Sequence, residues 1–262
     1  RMSAGAWGWP PLTRRCVAVL RRNFLVWRKT ALTTVLGDVL DPVVALLALG
    51  FGLGALLPGI EGVPYVTFLS AGSMCVGALY GATFEATYNA FSRLHVQRTW
   101  DAMLSTPLDL DDVVWAEILW AAAKALKSGI AILLVVVALD IARAPTLLWV
   151  PPVLALAGLA FASMALVVSA LARGYEFFMY YFTLGVTPMV FLSGVFFPAS
   201  QLPAALAGPL QWLPVAPAVN LIRPLTLGQV PHAWWADVAQ LAVTAALGIW
   251  LVAVLMRRRL LR

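Results

Sequence analysis

The organisation of this chain follows from residues 93–117, which read RLHVQRTWDAMLSTPLDLDDVVWAE and form the longest polar interruption between its apolar runs. The first part, up to Ser105, is predicted to be a short amphipathic helix. Its apolar positions recur at helical spacing and are Val96, Trp100, Met103 and Leu104. Pro107 ends this helix, because a proline ring disfavours the helical conformation of the preceding residue. An exposed helix between two apolar runs suits the docking of a soluble partner, and the same pattern also fits an interfacial loop that only turns the chain.

The composition places the chain in a membrane. Of its 262 residues, 62% are hydrophobic and 11% are charged, and the mean hydropathy is +0.88. In a soluble domain about a quarter of the residues are charged. The net charge of +6 arises from short basic clusters beside apolar runs, which argues against a nucleic-acid surface. Two cysteines and two histidines, far apart in the sequence, predict neither a disulfide framework nor a metal centre.

Residues 7–31 are predicted to form an amphipathic helix in the membrane interface. Six basic residues between Arg14 and Lys29 alternate with apolar ones, so the segment is too charged to cross a bilayer. Basic and aromatic side chains together suit the headgroup layer. A basic leader without defined geometry has the same composition and is the alternative.

Six apolar runs follow, each near the ~20 residues that a membrane-spanning helix requires. They lie at about residues 37–57, 66–90, 113–138, 147–171, 177–197 and 234–256. Basic residues outside these runs are concentrated on one side of the membrane. Seven precede the first run, four follow the last, and Arg93, Arg98 and Arg173 lie in loops of that side, whereas the other side has only Arg143 and Arg223. The positive-inside rule therefore predicts that both termini and residues 93–117 are cytoplasmic.

Residues 198–232 are predicted to form a re-entrant hairpin before the last span. They contain seven prolines, which prevent one continuous helix, and they are also too apolar for a plain solvent loop. A pair of short helices that dip into the outer leaflet and are shielded by the bundle satisfies both constraints. A structured periplasmic loop is the alternative.

Charged residues fall inside the predicted spans at Glu85, Lys124 and Lys127. A charge at the centre of a span costs roughly 2.5–3.5 kcal/mol on insertion scales, so it usually faces protein or a water-filled cavity. Glu85 is the expected partner of one lysine. Both lysines are also close enough to a span end to extend their ammonium groups to the interface. A place in a translocation pathway and simple snorkelling are therefore both open.

The chain carries no recognisable catalytic or nucleotide-binding motif. It has no GxxxxGK[ST] loop, no G-x-S-x-G elbow and no H-E-x-x-H pair. His95 and His232 are predicted on opposite sides of the membrane and cannot share a site. No clear internal repeat relates the halves, which counts against inverted-repeat secondary transporters. The sequence predicts a transport subunit rather than an enzyme, with no catalytic residues, metal or cofactor of its own.

The order of these elements, together with three motifs, resembles the type 2 permeases of ATP-binding-cassette (ABC) exporters. The motifs are TWDAMLSTPLDLDDVVWAE (residues 99–117), FLSGVFFPASQLP (residues 191–203) and PAVNLIRPLTLG (residues 217–228). The resemblance covers essentially the whole chain, as one permease domain over residues 1–262. Within the family, the sequence is most similar to the branch that exports nodulation-factor-like lipo-oligosaccharides.

The resemblance implies a coupling helix within residues 92–106 that inserts into a cleft of a separate cytoplasmic ATPase subunit, which would bind ATP and Mg²⁺. The residues assigned to coupling are Val96, Arg98, Trp100, Asp101, Met103, Leu104 and Glu117. Among them Trp100, Met103 and Leu104 are expected to be exposed apolar residues that the ATPase buries. The resemblance also implies a pathway between two permease copies that leads an amphipathic substrate out across a bacterial inner membrane. The substrate classes it allows are a lipo-oligosaccharide, a glycolipid and a drug-like molecule. The residues assigned to this pathway are Glu85, Lys124, Lys127, Phe196, Phe197 and Trp212.

The expected fold is an all-α integral membrane protein with six spans, an interfacial helix, a coupling helix and a re-entrant hairpin. Two other functions compete with export. A proton-coupled secondary transporter would use Glu85, Lys124 and Lys127, and an adjacent ATPase gene would argue against it. A membrane enzyme acting on lipid-linked sugars would need an acidic motif facing a cleft, which the sequence lacks.

Overall fold

The computed structural model describes residues 7–56, 59–60, 62–198, 201, 208 and 211–260, and these residues fold into helices and connecting turns. The helices are α1 (Cys16–Arg28), α2 (Ala31–Gly52), α3 (Tyr65–Phe84), α4 (Thr99–Leu104), α5 (Leu110–Ala138), α6 (Val150–Leu171), α7 (Glu176–Tyr181), α8 (Thr187–Leu192), α9 (Val215–Thr226) and α10 (Trp234–Leu260). Wide π turns at Glu85–Asn89 and Ser92–Val96 continue α3, and a third at Phe182–Val186 joins α7 to α8. The predicted all-α class is confirmed.

Five helices among the described residues are long and apolar enough to cross a membrane. They run over Ala31–Gly52, Tyr65–Val96, Leu110–Ala138, Pro145–Leu171 and Trp234–Leu260. These match the first four and the last of the six predicted spans. The predicted fifth span contains a shorter apolar helix, Glu176–Leu192, with a π turn inside it. A helix of this length spans about 26 Å, less than the ~30 Å hydrocarbon core, so a sixth crossing stays a prediction.

The N-terminal segment divides into an extended strap, residues 7–13, and the helix α1. α1 is shorter than the predicted helix over residues 7–31. Cys16, Val19 and Asn23 form its buried side, which packs against α5. Its basic residues lie at or near the surface, as an interfacial helix requires.

The centre of the bundle is α5, which packs between α3 and α6. Glycines let the three backbones approach closely. A Cβ atom at Gly81 of α3 would lie 3.1 Å from the carbonyl oxygen of Lys124, and one at Gly158 of α6 would lie 3.1 Å from that of Ala122. This close packing holds Lys124 beside the end of α3, where Glu85 lies.

α9 is the longest described helix of the predicted re-entrant segment, residues 198–232. Its apolar face packs against α3, α6 and α10, so the bundle shields it. Most of the first part of this segment, residues 199–200, 202–207 and 209–210, lies outside the described residues. The hairpin as a whole stays a prediction.

Candidate functional site

Four charged side chains meet where the end of α3 approaches α5, and we name them the ion-pair cluster. Arg93 donates from Nε to Glu117 at 3.0 Å, and its Nη2 contacts both Glu117 and Glu85, the latter at 2.8 Å. The Lys124 Nζ atom lies 4.0 Å from the carboxylate of Glu85. Glu117 is only 1% exposed. Two carboxylates and two cations are therefore balanced in a buried region.

Helical spacing brings the cluster together. Glu85, Asn89 and Arg93 recur every fourth residue on the π-turned end of the second span, and Asn89 donates to Glu85 at 2.8 Å. Glu117 and Lys124 are seven residues apart on α5 and share one face of it. π turns inside membrane helices are frequent at functional sites. The cluster ties the end of the second span to α5.

Lys124 is buried among protein side chains, with 7% of its surface exposed. Its Nζ atom lies 5.0 Å from the ring centre of Trp27 on α1 and 5.7 Å from that of Trp120 on α5. These cation–π contacts and the carboxylate of Glu85 compensate for lost hydration. Lys127 is half-buried, with Nζ 5.9 Å from the Trp27 ring. Snorkelling and a pathway role therefore both stay predictions for the two lysines.

The polar stretch of residues 93–117 turns sharply at Arg98. This residue has a left-handed backbone conformation, with φ 49° and ψ 32°, which is uncommon for a residue other than glycine. The turn separates the π turn Ser92–Val96, which belongs to the second span, from α4. The short helix is therefore Thr99–Leu104 and not the predicted 92–106, and Val96 lies outside it although it is 65% exposed.

The prediction that Trp100 is exposed for docking is wrong. Its side chain is 0% exposed and belongs to the core of the bundle, because α4 folds back on α5 and turns its apolar face inward. Met103 and Leu104 are half-buried on the same side. Glu117 is also enclosed and acts inside the chain as the partner of Arg93. The surface of this turn consists of Arg98, Asp101, Ala102, Ser105, Thr106 and Pro107.

A second buried ion pair joins the start of α5 to the end of α10 beneath the strap. Asp111 accepts hydrogen bonds from Nε and Nη2 of Arg257, at 2.9 and 2.8 Å. The remaining Nη1 of Arg257 donates to the carbonyl of Gly8 in the strap at 2.6 Å. Trp115 donates its indole N–H to the carbonyl of Pro10, and Trp250 does the same to Trp7, both at 3.1 Å. The strap therefore fastens α5 and α10 to each other.

The aromatic residues assigned to the pathway lie at the opposite end of the bundle. Tyr65, at the start of α3, donates its hydroxyl to the carbonyl of Phe196 at 3.2 Å. Glu85 follows twenty residues later in the same helix, about 30 Å away. Phe196 and Phe197 are half-buried, and Trp212 is 78% exposed. The structure thus separates the intramembrane charges from the aromatic residues.

Two contacts were not predicted from the sequence. They are the pairing of Asp111 with Arg257 and the contact of Arg93 with both Glu85 and Glu117. The available signal was a carboxylate at the start of an apolar helix, which needs a partner once buried. Several basic residues near both termini were equally good candidates for the partner of such a carboxylate, so the sequence alone did not identify it. Among the residues that the structure describes, no three His, Cys, Asp or Glu side chains are placed to hold a metal ion.

Comparisons of the sequence with known proteins find relatives over most of the chain. The family model described as ABC-2 type transporter matches residues 14–226. Nodulation protein J of Bradyrhizobium diazoefficiens is 44% identical over 261 residues, covering 100% of this chain and 97% of the relative. The nodulation protein J sequences of Sinorhizobium fredii and Rhizobium meliloti are each 42% identical over 260 residues, covering 99% of this chain and 97% of the relative. Since the family match spans most of the chain and these relatives align almost end to end, the chain belongs to the ABC-2 type transporter family.

Proposed function

We propose that this chain is the permease subunit of an exporter that moves an amphipathic substrate, such as a lipo-oligosaccharide or glycolipid, out across a bacterial inner membrane. Family membership makes the chain an ABC transporter permease. The relatives named nodulation protein J and the sequence motifs favour the lipo-oligosaccharide class. Two permease copies would enclose the pathway. Two ATPase subunits would supply the energy, because the chain has no nucleotide-binding motif of its own.

The coupling role is supported by the contacts that fix α4 to the bundle. Trp100 anchors α4 in the core, and Arg93 ties the preceding turn to Glu117 of α5. Arg15 donates to the carbonyl of Pro107, just after α4, at 3.0 Å. A soluble ATPase that pushed on the exposed side of α4 would therefore move α5, and would not merely bend a loop.

The same contacts weigh against proton-coupled transport. The carboxylate of Glu85 lies between the guanidinium of Arg93 and the ammonium of Lys124. Arginine keeps its proton under all ordinary conditions, so Glu85 keeps a permanent cationic partner. An acidic group that carries protons across a membrane needs to exchange them with water during the cycle.

Reversing the charge of Asp101 is expected to weaken ATPase docking. Asp101 is exposed on α4, and a like-charge contact introduced into an interface costs several kcal/mol. For Asp101→Arg we expect at least a tenfold loss of bound ATPase, which corresponds to about 1.4 kcal/mol. The measurement is the ATPase recovered per permease in a detergent pull-down, together with ATP-dependent export in vesicles.

Glu176→Arg is the matched control, since Glu176 is an exposed acid at the first residue of α7, shortly after the fourth span and on the same predicted side of the membrane. It undergoes the same charge reversal away from α4. Equal ATPase recovery and equal export by the two variants and the unchanged protein would remove α4 from the interface.

The proposed topology predicts which introduced cysteines react from outside the cell. In intact spheroplasts we expect Gln229→Cys to be labelled by a membrane-impermeant thiol reagent and Ser105→Cys to be protected until permeabilisation. Both positions are exposed. The native background is low, because Cys16 and Cys75 are buried. Burial, with help from the nearby Asp112 carboxylate, also raises the pKa of the Cys16 thiol and reduces its reactive thiolate. Labelling of Ser105→Cys in intact spheroplasts would contradict a cytoplasmic α4.

A further inference from the structure

A cavity of about 280 Å³ lies where α1 meets the start of α2, the π-turned end of the second span and the middle of α5. Its walls combine aromatic, amide and charged side chains in a region otherwise built of apolar helices. The lining residues that matter here are Arg22, Asn23, Trp27, Glu85, Trp120 and Lys124.

Two hydrogen-bond donors of α1 are buried in this wall. Asn23 is 4% exposed, and its side-chain oxygen accepts a hydrogen bond from Arg22 at 3.0 Å. A guanidinium can only donate, so the oxygen of Asn23 faces Arg22, and its amino group points away from that contact within the wall of the cavity. The indole N–H of Trp27 is buried as well. Neither donor has a hydrogen-bond partner among the residues that the structure describes. A ligand with acceptor oxygens would satisfy both.

The charges around the cavity favour an anion. The carboxylates of Glu85 and Glu117 are matched by Arg93 and Lys124 in the ion-pair cluster. Arg22 adds a further positive charge to the lining. A ligand with one negative charge would therefore balance the site, and its oxygens would meet the two buried donors.

The position of the cavity indicates where such an anion comes from. Thr34, one turn into α2, also lines it. α2 is the least buried of the five long apolar helices, so within this chain the α2 side of the cavity is open to lipid. Two tryptophan rings line the same space, as is typical of the headgroup level. Anionic phospholipids are abundant in the cytoplasmic leaflet. We propose that this cavity binds the phosphate of an anionic phospholipid headgroup, which links α1 to the ion-pair cluster. This inference goes beyond export and is tested by binding alone.

The test titrates detergent-purified permease with dioleoylphosphatidylglycerol or dioleoylphosphatidylcholine and counts bound lipid by native mass spectrometry. We expect phosphatidylglycerol to bind about tenfold more tightly than phosphatidylcholine. Asn23→Leu and Trp27→Phe each remove one donor and leave an apolar side chain in its place, so each is expected to weaken phosphatidylglycerol binding by about tenfold. Both variants should change the lipid-free melting temperature little. The donors that they remove have no partner among the described residues, Trp27→Phe keeps an aromatic ring near Lys124, and the acceptor lost in Asn23→Leu pairs with a half-buried arginine that water can solvate.

Arg22→Gln and Arg21→Gln form the matched pair. Both remove one positive charge from α1, but only Arg22 lines the cavity, since Arg21 is exposed on the outer side of the helix. A headgroup site predicts weaker phosphatidylglycerol binding for Arg22→Gln alone. Equal losses for the two variants would overturn the proposal in favour of non-specific charge attraction, and equal affinity for the two lipids would overturn the assignment of the cavity to an anion. A third measurement replaces the lipid with inorganic phosphate. If millimolar phosphate raised the melting temperature as much as phosphatidylglycerol does, the site would bind a free anion and the lipid assignment would be overturned.

Discussion

Replacing Arg93 with methionine is expected to lower the free energy of unfolding by about 3–5 kcal/mol, because two buried carboxylates lose their common partner. Arg93 makes contacts with both Glu85 and Glu117, and Glu117 has almost no access to solvent. Methionine keeps much of the volume of arginine, so the loss reports on charge more than on packing. The measurement is unfolding by sodium dodecyl sulfate in mixed micelles, followed by far-ultraviolet circular dichroism.

Two further variants separate this effect from a general loss of arginine. Arg98→Met removes an exposed guanidinium five residues later and is expected to change stability by less than about 0.5 kcal/mol. Adding Glu117→Gln to Arg93→Met should recover part of the loss, since burying a neutral amide costs less than burying a charge and Glu85 keeps Lys124 as its partner. If Arg93→Met were no more destabilising than Arg98→Met, the cluster would contribute nothing to the fold.

Replacing Trp100 with alanine is expected to destabilise the permease by about 3–5 kcal/mol, the usual cost of truncating a fully buried tryptophan. Trp100 holds α4 against the core of the bundle. The first consequence is thus a smaller yield of folded permease, and weaker ATPase binding follows from misplaced α4 residues. The two are distinguished by measuring ATPase recovered per folded permease, after size-exclusion chromatography, alongside the melting temperature.

Val96→Ala provides the comparison for Trp100→Ala. Val96 lies four residues earlier but is largely exposed, so its truncation should leave the melting temperature within about a degree or two of the unchanged protein. Trp100→Phe should cost much less than Trp100→Ala, because most of the buried ring area remains. An unchanged melting temperature in Trp100→Ala, with lost ATPase binding, would show that the tryptophan serves a partner and not the core.

Several features of this protein follow from the sequence alone, because they depend on short stretches of chain. Five apolar runs of about 20 residues are helices long enough to cross a membrane. A helix is expected there because it pairs all of its backbone polar groups internally, and leaving them unpaired in lipid is costly. The basic amphipathic segment contains α1. Residues 99–117, with two later motifs, resembled the family that the comparisons then showed. The fifth of the six predicted spans was the exception, because it contains a shorter helix, Glu176–Leu192, with a π turn inside it.

Other features were decided only by the tertiary structure, because they join residues that are far apart in the chain. Helical periodicity identifies the apolar face of α4, but it cannot say whether Trp100 meets a partner protein or the bundle of the same chain. The left-handed backbone at Arg98 settles this, by folding α4 back onto α5. Asp111 and Arg257 are separated by 146 positions, and many other charge pairings satisfied the same composition. Buried charges require partners, and only the packing of α3, α5 and α10 determined which partners these are.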